Sequence, residues 1–321
     1  LALSFVEEGT LSLLDPVEKY LPEFSGLRVG REVGEGIVYE PLKRPLTVYD
    51  LLRHTAGLTY GVFFRSPVKG LYLEAGVDRF DLSREVFLER LAALPLRFQP
   101  GETFEYGLAT DLLGHLLEAL AGRSLAELLE ERLFRPLGMK DSGFQAKDPA
   151  RLAQPFPKDP ETGHSLRLLP VETPPPRYAG GMGGVGTAAD YLAFLEALRL
   201  GRGALSPTMA GFMVQDHLGS LYPEALKRGP EYLPGPGYSF GLGVAVRVEP
   251  MGYSPGALGE WTWAGFGGTF FFVDPLQEIT ALYLAQAPNL LSVLEPEKAL
   301  HSRLGARLQH AFRTLVYLGL E

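Results

Sequence analysis

The chain has 321 residues, 46% of them hydrophobic and 21% charged, the proportions of a globular protein rather than a disordered one. Thirty basic side chains stand against thirty-eight acidic ones, a formal charge of −8, which argues against a nucleic-acid surface or a polybasic membrane anchor. No apolar run approaches the ~20 residues that span a bilayer. With no cysteine in the chain, disulfides, thiolate metal sites and a cysteine nucleophile are excluded.

In chain order, Leu1, Phe5 and Val6 have helical spacing and Gly9 supplies a stop, so the chain opens on the tail of an apolar helix. A helix tail in first position predicts a further segment upstream. Residues 27–46 read as extended, with a turn at Gly34-Glu35-Gly36. Thr47 and Asp50 mark the start of a helix that stops by Gly57, and Asp111–Leu120 forms an amphipathic helix ended by Gly122. Ser124 and Glu127 then make a capping box for a helix reaching Phe134. From Gln154 to Gly181 the chain is rich in proline and polar residues, which predicts a long irregular segment. Thr187 and Asp190 cap another helix, Tyr191–Leu200. After Gly237 three β-rich runs follow, 244–248, 268–273 and 279–284, and short turns between them predict an antiparallel sheet. A final helix from about Pro296 carries Leu300, Leu304, Leu308, Phe312 and Leu315 on one stripe.

Four patterns invite a chemical reading. Gly237-Tyr238-Ser239-Phe240-Gly241 matches the nucleophile elbow, but that elbow needs a strand before the serine and a helix after it, and here the order is reversed. Gly181-Met182-Gly183-Gly184-Val185-Gly186 matches a dinucleotide fingerprint without the preceding strand, so it reads as a glycine loop that permits close backbone approach. The six histidines show no paired ligand spacing. His115 reads as packed or solvated within its helix, and His54 as a residue at a helix end ahead of a turn. Ser66-Pro67-Val68-Lys69 matches Ser-x-x-Lys, in which lysine lies one helical turn from serine. Gly70 follows, however, and no apolar helix is expected to hold that serine rigid.

Read together, several segments resemble the serine β-lactamase-like family, which groups penicillin-binding proteins, class C β-lactamases and related esterases. Val6–Pro22 is similar to the family's segment after its nucleophile helix. Leu51-Leu52-Arg53-His54-Thr55-Ala56-Gly57-Leu58 matches its "LLxHTSGL" signature, and Pro100–Tyr106 resembles the approach to its catalytic tyrosine. Arg135–Met139 and the loop from Gly180 to Thr187 also fit, in the family's order, from Val6 to about Gln286.

The resemblance implies an α+β, β-lactamase/transpeptidase-like fold: an antiparallel sheet flanked by helices plus a mainly helical region. It implies one catalytic domain over 1–321, its N-terminal part preceding Leu1, with 1–22 and 235–321 sheet-containing and 23–234 mainly helical. The family uses Ser-x-x-Lys, Tyr-x-Asn and a Lys-Thr-Gly-like strand. The second falls on Tyr106-Gly107-Leu108, with Leu108 in place of asparagine. The third falls on Trp263-Ala264-Gly265 and resembles the Trp-Gly-Gly variant of the family's esterases. Family order puts the first upstream of Leu1, and Ser66 comes too late to be its counterpart.

By the same resemblance Tyr106 is the general base and the Phe266 N–H an oxyanion donor, while Trp263, Ala264, Gly265 and Leu108 line the substrate. No cofactor or metal is implied. The expected partner is a small-molecule ester or β-lactam-like substrate, with no nucleic acid and no membrane span. Trp263 in place of a lysine and Leu108 in place of an amide favour an uncharged ester over an anionic lactam. A β-lactamase or penicillin-binding D-Ala peptidase is the enzyme alternative, and a catalytically inactive binding relative the other.

Overall fold

The computed structural model describes residues 1–62, 66–159, 162–166, 169–221, 233–288 and 306–320. Its main sheet holds five antiparallel strands in chain order: β3 (Tyr238–Phe240), β4 (Ala245–Arg247), β5 (Trp261–Ala264), β6 (Phe270–Asp274) and β7 (Ile279–Tyr283). The predicted runs correspond to β4, β6 and β7, whereas β3 and β5 add two strands that composition did not mark. Both are short, and β3 is buried at all three residues, so it has no apolar–polar alternation to read. A separate hairpin pairs β1 (Arg28–Val33) with β2 (Gly36–Pro41) around the predicted glycine turn.

Alternation along β6 sends its side chains to two different cores. Phe271 and Val273 join Trp261, Val246 and the apolar face of α1 (Ala2–Glu7) in the principal core, while Phe270 and Phe272 face the C-terminal helix. That helix, α9 (Ala306–Leu318), stacks Tyr317 on Phe272 at 5.8 Å and sets Phe312 against Tyr283 at 5.2 Å. The start expected near Pro296 falls partly outside the described residues. Within them the stripe is rotated: Leu308 and Leu315 are exposed, and Phe312, Arg313, Val316 and Tyr317 turn inward. Arg313 explains the rotation, because its guanidinium is buried 3.1 Å from Glu260 and donates to the Tyr238 hydroxyl at 2.5 Å.

The mainly helical region packs around α5 (Ala109–Ala121), whose leucines at 112, 113, 116 and 117 are all buried. Gly122 ends α5 in the left-handed region, as expected of its missing Cβ. Thr47 and Asp50 form the predicted capping box of α2 (Val48–Leu52), although that helix stops five residues short of Gly57. Ser124 and Glu127 cap α6 (Leu125–Leu129), which runs into a π-turn over Glu130–Phe134. Among the described residues four further helices occur: α3 (Pro67–Ala75), α4 (Arg84–Ala92), α7 (Ala188–Arg199) and α8 (Pro207–Met213). Thr187 caps α7 as predicted. Among the described residues no helix is long and apolar enough to cross a membrane.

Candidate active site

The placement of Tyr106 begins with α2 ending early. After Leu52 the chain turns through His54, a non-glycine residue at φ +54°, and then runs beside residues 97–107. Three backbone bonds join the two stretches, Arg97 N–H to Gly57 O and Gly101 N–H to Thr55 O at 2.8 Å and Glu105 N–H to His54 O at 2.9 Å, and the Gly107 N–H reaches the His54 side chain at Nδ1, 3.4 Å away. Gly107 must be glycine, since a Cβ there would lie 2.5 Å from the Thr59 Cα. Glu105 anchors the same stretch from inside, accepting from Thr59 at 2.7 Å and Arg97 at 2.6 Å and pairing with Lys69 at 3.0 Å.

Tyr106 is thereby held three residues ahead of α5, half-buried, among aromatic rings. His54 lies 4.7 Å from it, Trp263 5.2 Å and Tyr60 5.7 Å, centroid to centroid. Trp263 and Tyr60 both hydrogen-bond to the phenol oxygen and favour its ionised form, but burial dominates and the Asp111 carboxylate adds to it, so the pKa stands above the usual 10. His54 is driven down to about 3 by burial alone and is neutral. With Nδ1 accepting from Gly107, its Nε2–H is left to donate to Thr110 Oγ1 at 3.3 Å.

Beyond Trp263 the strand opens into a tight turn to β6. Gly265 N–H bonds Thr269 O at 2.8 Å and Gly268 N–H bonds Gly265 O at 3.0 Å. Among the described residues the Phe266 N–H has no intrachain acceptor, and its ring is half exposed. Ala264 is half-buried and Gly265 exposed beside it. The structure thus brings Tyr106 and the Trp263–Phe266 turn together. Leu108 goes elsewhere: it is fully buried in the principal core at the N-cap of α5. It therefore offers no surface to a substrate, contrary to the expectation, because the side chain two positions past Tyr106 turns into the leucine-rich interior.

The competing motifs have structural occupations. Ser66 N-caps α3, a helix the sequence reading did not expect, and its hydroxyl engages Glu32. Lys69, one turn on, is committed to Glu105. Ser239 is buried in β3 and donates to Asp216 at 2.5 Å. The glycine loop allows the close approach expected of it: a Cβ on Gly180 would fall 2.1 Å from Thr110 O, and one on Gly181 would fall 2.5 Å from Asp111 Oδ2. His115 is buried against Glu118 at 2.7 Å. No cluster of potential metal ligands occurs among the described residues. Sequence reasoning passed over His54 and Tyr60 as walls of the site. Their signal was present, since both lie in or just after the His-Thr-Ala-Gly-Leu stretch that the resemblance had singled out.

A family model described as Beta-lactamase matches residues 1–301. The chain belongs to the beta-lactamase family. Within that family it is 33% identical over 307 residues to Protein Rv1367c of Mycobacterium tuberculosis, covering 91% of this chain and 75% of that one. It is likewise 33% identical to Esterase EstB of Burkholderia gladioli, covering 88% of this chain and 72% of the relative. Among solved structures it resembles EstCE1, a hydrolase with promiscuous acyltransferase activity, with a TM-score of 0.74, 29% identity and coverage of 94% and 81%. These similarities place it with the esterase and acyltransferase members of the beta-lactamase family, and it is a serine hydrolase.

Proposed function

We propose that the protein is a carboxylesterase that works through an acyl-enzyme, with Tyr106 as general base. The observation that carries this reading is the meeting of Tyr106 with Trp263, whose indole N–H bonds the phenol oxygen, next to a turn in which the Phe266 N–H has no acceptor among the described residues. A serine hydroxyl is a weak nucleophile and needs a base within hydrogen-bond reach. A buried phenol can be that base only when an adjacent cation lowers its pKa, and a lysine ammonium is the group of that kind the mechanism requires. By the order of motifs in the family, serine and lysine are proposed to lie on a segment preceding Leu1; Ser66, Lys69 and Ser239 are engaged elsewhere.

In the acylation step the serine oxygen forms a bond to the ester carbonyl carbon and passes its proton to Tyr106. The carbonyl oxygen becomes the oxyanion, received by the Phe266 N–H and the serine's own N–H. Loss of one such donor typically costs ~10²–10³ in rate. The intermediate expels the alcohol, which takes the proton back, and water repeats the sequence to release the acid. Trp263 presents an apolar wall where a lysine would attract a carboxylate, so an uncharged ester is the substrate class. Leu108, being in the core, acts only by its position and not by contact.

The test uses protein made from its full-length gene. A fluorophosphonate should label a serine preceding Leu1, and Tyr106→Phe should lower kcat/KM for a p-nitrophenyl ester by about 10²–10⁴. Labelling of Ser66 or Ser239 would overturn the assignment. Turnover of a chromogenic cephalosporin that outpaces ester hydrolysis would replace the substrate class.

A further inference from the structure

The start of α5 carries a buried ion pair that the mechanism above does not use. Asp111 stands in the first turn of α5, five residues after Tyr106, and its Oδ1 accepts from Arg177 Nη1 at 3.2 Å. Both side chains are almost fully buried, at 0% and 1% exposure. Arg177 comes from the end of the proline-rich segment and lies over the Phe87 ring of α4 at 4.1 Å. The pair is not saturated: among the described residues Asp111 Oδ2 and Arg177 Nε and Nη2 have no hydrogen-bond partner. Each unmet polar group in a buried pair calls for an explanation. The unmet oxygen points toward the site. The place where a Gly181 Cβ would stand is 2.5 Å from Asp111 Oδ2 and 3.6 Å from the Tyr60 hydroxyl, and Tyr60 in turn bonds Tyr106.

We infer that the Asp111–Arg177 pair is a positioning device for Tyr106: it locks the glycine loop onto the start of α5 and sets the net charge that the phenol faces. This rests on Tyr106 being the base. A lone carboxylate at that point would oppose the phenolate, and a lone guanidinium would favour it. Paired, the guanidinium offsets only part of the carboxylate's opposition, so a residual upward push on Tyr106 remains and its ionisation is left to the cation that arrives with the nucleophile. The other groups facing Tyr106 are Trp263 and Tyr60, both donors to its oxygen, and neutral His54. Glu105, its chain neighbour, is tied to Lys69 and Arg97, and Asp78 stands near Tyr60.

Asp111→Asn is the decisive variant, because arginine cannot shed its proton when its partner is lost. In the full-length enzyme the acid limb of the kcat/KM–pH profile should move down by about one pH unit. The double variant Asp111→Asn/Arg177→Gln should bring it back toward the parent. Tyrosinate absorbance, taken as the difference between each variant and the same variant carrying Tyr106→Phe, should move with the limb. A merely structural pair would lose rate at every pH in both variants with the limb and the absorbance titration unmoved, and that result would overturn the inference. Should Asp111→Asn not fold, Arg177→Gln decides instead, because it leaves the Asp111 carboxylate unopposed. On the inference the limb and the Tyr106 absorbance titration then move up, whereas a limb and titration that stay with the parent overturn it. If Tyr106→Phe itself keeps full activity, it is the reading of Tyr106 that has failed, and the tyrosinate titration still reports whether the pair sets its charge.

Discussion

His54 combines three features that ordinarily exclude one another: a left-handed backbone, complete burial and an imidazole in contact with polar groups. Each has a cause in the chain. The left-handed turn lets residues 55–60 run beside 97–107, the carbonyl of His54 receives Glu105, and its ring receives Gly107. Burial holds its pKa at about 3 against an ordinary 6.5, so the unfolded chain binds a proton in that window that the folded one refuses. The stability tied to this residue is therefore whole above pH 6.5 and drains away as pH falls toward 3, by about 1.4 kcal/mol per pH unit once the unfolded imidazole is fully protonated. His54→Asn, which tolerates the left-handed region, should flatten the fall of the melting temperature between pH 6 and pH 4 (approximate limits within that window). Parallel curves for parent and variant would show that His54 is not the group responsible.

At the scale of elements, the sequence was most readable where local chemistry decides structure. The capping boxes at Thr47 and Ser124, the N-cap at Thr187 and the left-handed stop at Gly122 are all decided by side chains within a few residues. It was least readable where tertiary contacts decide. β3 and β5 are short and mostly buried, and α9 turns a buried arginine inward where its leucine stripe suggested otherwise. The site divides along the same line. Tyr106 and Trp263 could be named from motifs, whereas the burial of Leu108 follows from the packing of α5 and had no local signature. The glycine loop offers the clearest test at this scale. Gly180→Ala forces a Cβ to 2.1 Å from Thr110 O and should cost about 1–3 kcal/mol or more, with activity falling too. Gly184→Ala meets nothing within 4 Å and should stay within about 0.5 kcal/mol. Equal melting temperatures for the two variants would mean that the loop does not bear on α5 as described.

Across the whole molecule, the C-terminal helix is fastened to the sheet by a buried charge rather than by its leucines. Arg313 reaches Glu260 at 3.1 Å with its guanidinium over the Phe272 ring at 5.2 Å. Removing one partner of such a pair leaves the other charged and unsolvated, so Arg313→Met should destabilise by about 3–5 kcal/mol. Adding Glu260→Gln should recover part of that loss, and thermal unfolding of both singles and the double gives the coupling directly. Additive losses would show that the helix is held by its rings alone.

The surroundings of Tyr106 are drawn from stretches far apart in the chain: Thr59 meets Glu105 across 46 positions and Arg177 meets Asp111 across 66. Trp263 is more distant still. Helices such as α5 can form while synthesis is in progress, but on the proposed reading nothing on the growing chain can cleave an ester until β5 has left the ribosome and closed against Tyr106. Catalytic competence therefore arrives late and in one step, and a prematurely terminated product carries no fraction of it.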